Sequence, residues 1–465
     1  MQIDRTDVMW NYGATFLKIA SSVLLFPLIL RLMPTETVGI WSIFMTIATL
    51  ASLLDFGFSP SFTRNVTYVF SGVTKLRVQG VDLTNSDKSE IDYGLLKSVI
   101  MSMKWIYLRV TIILLILLIT IGTYYINFLL KNYTGDKVEV YISWGLLSLS
   151  TAYNLYTMYY DSLLLGRGLI KKSKQIIIIG QIGFLVVSAS LILAGKGLIA
   201  IILGLFVSTI IVRILSYKAF FTKEIREKLN NAIAQPIDNT LKAITPNAIK
   251  IGITSLGGFM VQKSAIIIGS IYLSLEDIAS YGITLQVITV ISSLAAIHIS
   301  TYQPKIVEFR VRNNNEGIKE LFLKGQIIII ITYLFFGTLL LFMGDYFLKL
   351  INSDTSFLPF YFLLLALFIS FEQTNIIVAG LIILTKNEVP FFKAGIISGI
   401  SIVLGLVFAF SFADLGILTL LVVPLVVDLS YQAWKWPTMV YKELGITFIY
   451  ILTFLKLKRN DQITK

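Results

Sequence analysis

Residues 34–65 read PTETVGIWSIFMTIATLASLLDFGFSPSFTRN, and this stretch decides the fold because its pattern occurs twice in the chain. The second copy, SLEDIASYGITLQVITVISSLAA, begins at residue 274, so that Glu36 aligns with Glu276 at an offset of 240 residues. Each copy places an apolar run directly after a short polar turn. We expect an internal duplication. The alternative is that apolar helices resemble one another through composition alone.

The composition of the chain indicates a protein that lies in a lipid bilayer. Of the 465 residues, 56% are apolar and 14% are charged, which is too few charges for the surface of a water-soluble protein. Apolar runs of about 20 residues match a hydrocarbon core about 30 Å thick, whereas barrel strands would be half as long and alternating. The absence of cysteine and the single histidine, His298, exclude disulfides and histidine-cluster metal sites. The sequence therefore predicts an all-α integral membrane protein.

Charged residues and Gly/Pro turns divide the apolar sequence into twelve predicted spans. The spans are residues 12–33, 38–60, 104–130, 139–165, 174–194, 198–220, 246–273, 278–300, 325–348, 357–385, 391–411 and 415–436. The first span passes into the second after a short turn without a small-residue cleavage site. We therefore expect it to remain as a helix rather than to be removed as a signal peptide.

The distribution of lysine and arginine predicts the orientation of the chain in the membrane. With the N-terminus in the cytoplasm, most of the 39 basic residues lie in cytoplasmic connections or at the inner ends of spans. The basic residues that then fall outside are Arg31, Lys131, Lys137, Lys196 and Lys349. Both termini are therefore expected in the cytoplasm. This topology accounts for the net charge of +12 and leaves no basic soluble surface for a nucleic acid.

From the third span onward the offset between matching residues falls to 219, so that Gly197 matches Gly416. A longer connection in the first half, residues 64–97, accounts for the change. Six spans per copy make the two halves parallel, related by an axis along the membrane normal, and the two six-helix lobes are expected to enclose a central cleft. The expected parts are an N-lobe at 1–220, a basic amphipathic connection at 221–245, a C-lobe at 246–440 and a tail with an interfacial helix at 441–465.

Two lysines lie inside predicted spans, where a charge costs several kcal/mol unless it faces protein or water. Lys18 lies about two turns into the first span, on a helix face that also carries Asn11, Thr15 and Ser22. Lys263 lies near the middle of the seventh span, the repeat partner of the first. We expect both ammonium groups to line the cleft and bind substrate. The alternatives are snorkelling of Lys18 to the inner interface and an internal ion pair of Lys263.

Polar side chains cluster in the middle of the tenth span, at Ser370, Glu372, Gln373, Thr374 and Asn375. So dense a cluster cannot face lipid and is predicted to line the cleft, with Gln373 as a candidate for binding substrate. Three roles fit Glu372 equally well. It pairs with the lysine of the seventh span, it binds a coupling proton or sodium ion, or it makes a polar contact between helices.

The matching fourth span contains AYNLYTMYYD at residues 152–161. Sugars stack on aromatic rings and hydrogen-bond to amides, so Tyr153 and Asn154 are candidates for binding a glycan. An interfacial aromatic belt is the other explanation of the tyrosines. Asp161, and Asp428 in the twelfth span, are further candidates for a coupling cation. Asp161 also lies near an inner helix end, where capping is an alternative role.

Asp55 and Arg64 belong to LLDFGFSPSFTRN, at the inner end of the second span. In this position we expect them to cap helices or to fix the loop, as part of a structural or gating motif.

The LLDFGFSPSFTRNVTYVFSG segment at residues 53–72, the GIWSIF start of the second span and the twelve spans in two repeats resemble a known group of transporters. The group is the polysaccharide-transporter branch of the multidrug/oligosaccharidyl-lipid/polysaccharide (MOP) exporter superfamily, and the chain is similar to its Wzx-type O-antigen flippases over essentially its whole length. The resemblance implies a two-lobed transporter rather than an enzyme. Its substrate would be an undecaprenyl-diphosphate-linked oligosaccharide, an O-antigen or capsule repeat unit, moved from the cytoplasmic to the periplasmic leaflet by alternating access.

The same resemblance implies the bacterial inner membrane as location and a polymerase and other polysaccharide assembly proteins as partners. It implies no cofactor apart from coupling to H⁺ or Na⁺. The first alternative is a cation-coupled drug exporter of the same fold, although that branch commonly relies on an acidic cation site in helix one, where this chain has Lys18 and no carboxylate. The second is a membrane glycan polymerase or ligase, for which the outer connections are too short and too poor in charge. A cleft lined by cations would favour a diphosphate substrate, and an acidic cleft a cationic drug.

Overall fold

A computed structural model of the chain describes residues 5–70, 72–73, 75–76, 91–311, 314–385, 390–413 and 415–447. All of the regular structure in these residues is helical, which confirms the predicted all-α fold class. The helices are α1 Arg5–Leu32, α2 Thr35–Ser52, α3 Phe58–Phe70, α4 Tyr93–Leu117, α5 Thr123–Leu129, α6 Lys137–Thr157, α7 Tyr159–Gly166, α8 Ile170–Leu193, α9 Leu198–Phe220, α10 Lys223–Asn231, α11 Ile237–Tyr272, α12 Leu275–Val311, α13 Asn315–Leu350, α14 Phe360–Leu384, α15 Phe392–Phe412, α16 Thr419–Ser430 and α17 Gln432–Glu443.

Nine helical segments of the described residues are long and apolar enough to cross a membrane. They are Thr35–Asp55, Tyr93–Leu129, Ile170–Leu193, Leu198–Phe220, Leu275–Ser300, Asn315–Leu350, Phe360–Leu384, Phe392–Phe412 and Gly416–Glu443. The three remaining predicted spans fall on α1, on the α6–α7 pair and on α11. Each of the twelve predicted spans therefore falls mainly on helix.

The bounds of the helices repeat at the offsets that the sequence suggested. α2 begins at Thr35 and α12 begins at Leu275, which is the offset of 240 residues. α8 ends at Leu193 and α15 ends at Phe412, which is the offset of 219. The duplication therefore extends from residue patterns to the positions at which the helices start and stop.

The prediction of one continuous helix over residues 38–60 was wrong. α2 continues only through a short 3₁₀ turn, Leu53–Asp55, and the helix is then broken before α3 begins at Phe58. The break lies at Phe56 and Gly57, whose φ angles are 45° and 68°, a region that glycine adopts without steric cost. α3 runs on into the segment that the sequence analysis assigned to the connection after residue 64. The core of that connection, residues 77–90, lies outside the described residues.

Two other features of the helices differ from the predicted spans. The fourth span, 139–165, is interrupted by a turn at Met158, which separates α6 from α7. Several helices are also longer than their apolar runs, and α13 begins at Asn315 rather than at 325. Its polar first turns carry an ion pair between Lys319 and Glu316, three residues apart, of the kind that stabilises exposed helix. Hydropathy locates the membrane-embedded part of a helix and misses such polar extensions.

The chain divides into two compact units, each built of helices. The first is Met1–Phe259 with Ile351–Thr355, and the second is Met260–Leu350 with Ser356–Lys465. The predicted lobe boundaries stay predictions. The predicted interfacial helix of the tail lies largely at residues 448–465, outside the described residues.

Small residues allow α8 and α9 of the first unit to pack closely. A Cβ atom added to Gly180 would lie 2.3 Å from Val212 Cγ2, and one added to Gly204 would lie 2.0 Å from Ser188 Oγ. Glycine is therefore needed at both crossings, as is usual for helix pairs in membranes, where close backbone approach drives association. α1 packs against α8 of this pair.

Candidate functional site

A cavity of about 350 Å³ lies within the second unit, between α11, α12, α14 and α16. The polar side chains that line it are Lys263, Tyr281, Thr289, Ser292, Ser293, Ser370 and Gln373. None of the described residues that line the cavity is acidic. The cavity therefore combines one cation with hydroxyl and amide groups on an otherwise apolar wall.

Lys263 supplies the positive charge of this cavity. It lies on α11, is half-buried, and forms no ion pair with any residue that the structure describes. In particular, the ion pair with Glu372 that the sequence analysis offered as one alternative is not formed. Glu372 lies on α14, the same helix as Gln373, but it does not line the cavity. The ammonium group of Lys263 is thus left to a ligand or to water.

A network of hydroxyl groups fixes the polar wall of the cavity. The hydroxyl of Tyr333 on α13 lies 2.7 Å from Ser370 Oγ and 2.8 Å from Thr374 Oγ1. Thr374 Oγ1 in turn lies 2.7 Å from Ser292 Oγ on α12. The network joins three helices through buried hydrogen bonds, so the side chains that face the cavity have fixed positions. Tyr333 and Ser292 were not among the predicted site residues.

Gln373 connects the cavity to a buried carboxylate. Its Nε2 donates to Asp428 Oδ2 over 3.2 Å, which links α14 to α16. Asp428 is 3% exposed, and its Oδ1 has no hydrogen-bond partner among the described residues. A buried carboxylate with a single neutral hydrogen bond is a costly arrangement, and it is relieved by taking up a proton or a cation.

In the first unit, Arg213 brings together two of the predicted site residues. Its Nη1 donates to Asp161 Oδ2 over 2.7 Å and its Nη2 donates to Asn154 Oδ1 over 2.6 Å. Arg213 is 5% exposed and Asp161 is half-buried, so only the guanidinium side of this ion pair is fully buried. The sequence analysis did not single out Arg213. Its signal was available, because it is the first charged residue after a long apolar run on α9.

The two helices that carry this ion pair, α7 and α9, also carry several aromatic rings. The rings of Tyr159 and Tyr160 lie 4.5 Å apart between centroids, and Tyr160 lies 5.7 Å from Tyr217 on α9. Tyr153, the predicted sugar-stacking residue, is half-buried on α6, one residue before Asn154. Tyrosines thus form an extended cluster in the first unit, and the stacking role of Tyr153 stays a prediction.

Asp55 lies at the corner between α2 and α3. Its carboxylate accepts a hydrogen bond of 3.1 Å from the backbone N–H of Ser59, in the first turn of α3, and one of 2.5 Å from the hydroxyl of Tyr107. This geometry satisfies a free N–H group of the helix start and ties α4 to the corner. Arg64 lies on α3 and is exposed.

Lys18, the other lysine that was predicted to line the cleft, lies in α1, but its side chain lies outside the part of the chain that the structure describes. Among the described residues there is no group of three or more His, Cys, Asp or Glu side chains that could hold a metal ion.

No protein-family model and no curated protein sequence matches this chain. Its fold is nevertheless similar to solved transporter structures. An inward-facing multidrug resistance transporter of the MATE family, in the MOP superfamily, aligns with a TM-score of 0.63 at 12% identity, covering 93% of this chain and 94% of the other. The MATE multidrug transporter DinF-BH, solved in complex with the dye rhodamine 6G, aligns with a TM-score of 0.57 at 13% identity, covering 94% and 93%.

An outward-facing MATE-family transporter of the same superfamily aligns less closely, with a TM-score of 0.51 at 15% identity, covering 95% of this chain and 96% of the other. Identities this low compare folds and carry no information about substrate. The chain therefore has the same overall fold as these solved transporters.

Proposed function

We propose that this protein is a flippase for undecaprenyl-diphosphate-linked oligosaccharide, moving an O-antigen or capsule repeat unit from the cytoplasmic to the periplasmic leaflet of the bacterial inner membrane. The observation that carries the proposal is the charge of the cavity in the second unit. Lys263 presents an ammonium group without an acidic partner among the described residues, and the cavity lining contains no carboxylate. A transporter fold with a cationic cavity suits an anionic substrate.

The chemistry of the cavity fits the head of such a substrate. A diphosphate that leaves water needs charged hydrogen bonds, which an ammonium group provides. Sugar hydroxyls need donors and acceptors of the kind that Gln373, Ser370 and Ser292 offer. A volume of about 350 Å³ lies at the lower end for ligand pockets and suits a diphosphate with its first sugar rather than the whole repeat unit.

Gln373 offers a route for coupling transport to a cation. Its amide lines the cavity and also donates to Asp428, so a proton or Na⁺ at Asp428 withdraws negative charge from the oxygen that holds the amide and weakens this hydrogen bond. The amide then exchanges more readily to a hydrogen bond with the substrate. A cation that changes the hydrogen bonding of a substrate ligand shifts the equilibrium between conformations that bind substrate differently. Glu372 remains a second candidate for the coupling cation.

The test is transport by reconstituted protein carrying Lys263→Met. Proteoliposomes contain a fluorescent undecaprenyl-diphosphate oligosaccharide, and its arrival in the opposite leaflet is measured by accessibility to a membrane-impermeant reagent. We expect Lys263→Met to weaken apparent affinity about ten- to a hundred-fold, the cost of one charged hydrogen bond. Lys263→Arg should retain part of the activity.

Lys349→Met is the matched control, since Lys349 is an exposed lysine in the last turn of α13, in the same unit. Its transport should equal that of the wild type. Full transport by Lys263→Met at normal abundance in the liposomes would contradict the cationic-cavity mechanism.

A second candidate function is the export of cationic drugs. Two observations favour it: the structures with a similar fold are described as multidrug transporters, one solved with rhodamine 6G, and Asp428 supplies a buried carboxylate. Transport of rhodamine 6G by the wild-type protein, with no movement of the lipid-linked oligosaccharide, would establish this function in place of the first.

As partners of the flippase we propose a polymerase and other polysaccharide assembly proteins, which receive the repeat unit in the outer leaflet. No cofactor is proposed beyond a coupling H⁺ or Na⁺.

A further inference from the structure

A second cavity lies in the first unit, between α1, α8 and α9, and it has a different character from the one that contains Lys263. It has a volume of about 500 Å³. Its cationic lining residues are Lys172 on α8 and Lys218 on α9, and none of the described residues that line it is acidic. Trp10 on α1 forms a third side, and isoleucine and leucine side chains form the rest of the wall apart from Gln175 and Ala219.

The tryptophan and the two lysines that line this groove each lie near an end of their helix. Trp10 is near the start of α1, Lys172 is in the first turn of α8, and Lys218 is in the last turn of α9. Tryptophan and lysine are the residues that anchor helix ends at the membrane interface. The groove therefore lies at interfacial depth, on the side where the positive-inside rule places the cytoplasm.

The wall of the groove continues along α8 as an apolar stripe. Ile179 lines the groove and is 48% exposed, and Ile182 and Val186 follow at helical spacing, also exposed. An amphiphile with its head between the two lysines has a surface for its acyl chain on this stripe. A soluble anion has no acyl chain to bind to this stripe.

The start of α8 adds to the attraction for an anion. Its N-cap residue is Leu169, which supplies no side-chain acceptor, so the first N–H groups of the helix have no capping side chain. The positive end of the helix dipole and the two lysines are thus on the same side of the groove.

We infer that this groove is a binding site for an anionic phospholipid of the cytoplasmic leaflet, with the phosphate between Lys172 and Lys218 and an acyl chain along α8. The site belongs to the first unit and is separate from the proposed substrate cavity, so it holds for any transported substrate. The bound lipid contacts all three helices and stabilises their packing at this end.

The experiment uses the purified full-length protein in detergent micelles and native mass spectrometry. The wild type, titrated with phosphatidylglycerol, should retain one lipid molecule tightly, and the same titration with phosphatidylcholine should not. Each of Lys172→Gln and Lys218→Gln should weaken retention about fivefold, the effect of one lysine near an anionic surface, and the double variant by the product of the two.

Lys174→Gln is the matched control, because Lys174 lies on α8 near the same end but does not line the groove. It should retain phosphatidylglycerol like the wild type. Because both groove lysines are exposed, the variants should keep their melting temperatures without lipid, which excludes misfolding.

Trp10 provides a second readout, located in the site itself. Phosphatidylglycerol with brominated acyl chains should quench the part of the tryptophan fluorescence that is lost in Trp10→Phe, and it should quench this part less in the double lysine variant.

Any of three outcomes would overturn the inference. The first is that the double variant retains phosphatidylglycerol as well as the wild type does. The second is that millimolar inorganic phosphate displaces the lipid, which would identify a site for soluble phosphate. The third is that undecaprenyl diphosphate displaces phosphatidylglycerol at equal concentration, which would identify a binding site for the transported substrate rather than for a resident phospholipid.

Discussion

Removing the carboxylate of Asp161 is expected to destabilise the first unit more than removing its partner, Arg213. The two side chains differ in burial: the side chain of Arg213 is 6% exposed and that of Asp161 is 34% exposed. Asp161→Ala leaves a guanidinium group buried with only Asn154 as acceptor, whereas Arg213→Met leaves a carboxylate that water can reach. Breaking a buried pair costs about 3–5 kcal/mol. We expect a loss near the lower end, about 3 kcal/mol, for Asp161→Ala and about 1–2 kcal/mol for Arg213→Met.

The assay is reversible unfolding of the purified protein in mixed micelles, which gives the free energy of unfolding of each variant. The double variant should lose less than the two single variants together, with a coupling of at least about 1 kcal/mol. Lys228→Met is the control, because its ion pair with Glu224 is exposed and exposed pairs contribute little to stability. Wild-type stability of Asp161→Ala, or strict additivity in the double variant, would refute the reasoning.

Three further predictions use other parts of the structure. Asp428→Asn should abolish the dependence of transport on the proton or sodium gradient at normal abundance, and an unchanged dependence in proteoliposomes would remove Asp428 from the coupling mechanism. Tyr107→Phe should lower the free energy of unfolding by about 1.5–3 kcal/mol, since it removes a hydrogen bond to the half-buried carboxylate of Asp55, while Tyr124→Phe, at an exposed position, should change nothing measurable. Reporter fusions at Asn230 and Asp354 should report cytoplasm and periplasm respectively, and one reversed reporter would break the predicted topology.

The fold was largely predictable from the sequence because a bilayer imposes a simple rule on the chain. Helices that cross it need about 20 apolar residues, and each of the predicted runs falls mainly on helix. The errors in the predicted spans lie where local backbone geometry ends a helix. Hydropathy does not show the break at Phe56 and Gly57, because the break depends on the backbone φ angles of these two residues. It also does not show the turn at Met158.

The candidate site was less predictable, since its residues come from helices far apart in the sequence. Gln373 and Lys263 stood out as polar groups in apolar runs, and both line the cavity of the second unit. Their partners could not be assigned from the sequence. Lys263 forms no ion pair with Glu372, the acid that was predicted as one of its alternative partners. Gln373 hydrogen-bonds to Asp428, which lies 55 residues further along the chain. The sequence shows that Arg213 follows a long apolar run on α9, but it does not show that Arg213 pairs with Asp161.

The proposed function depends on a cavity that binds anions rather than cations, and this preference can be measured. The measurement is the equilibrium binding of two probes to the purified protein: a short-chain prenyl-diphosphate oligosaccharide, and rhodamine 6G as a cationic dye. We expect that the diphosphate binds, that the dye does not compete with it, and that Lys263→Met weakens the binding of the diphosphate about ten- to a hundred-fold. Binding of the dye that strengthens in Lys263→Met, with no binding of the diphosphate, would contradict this expectation.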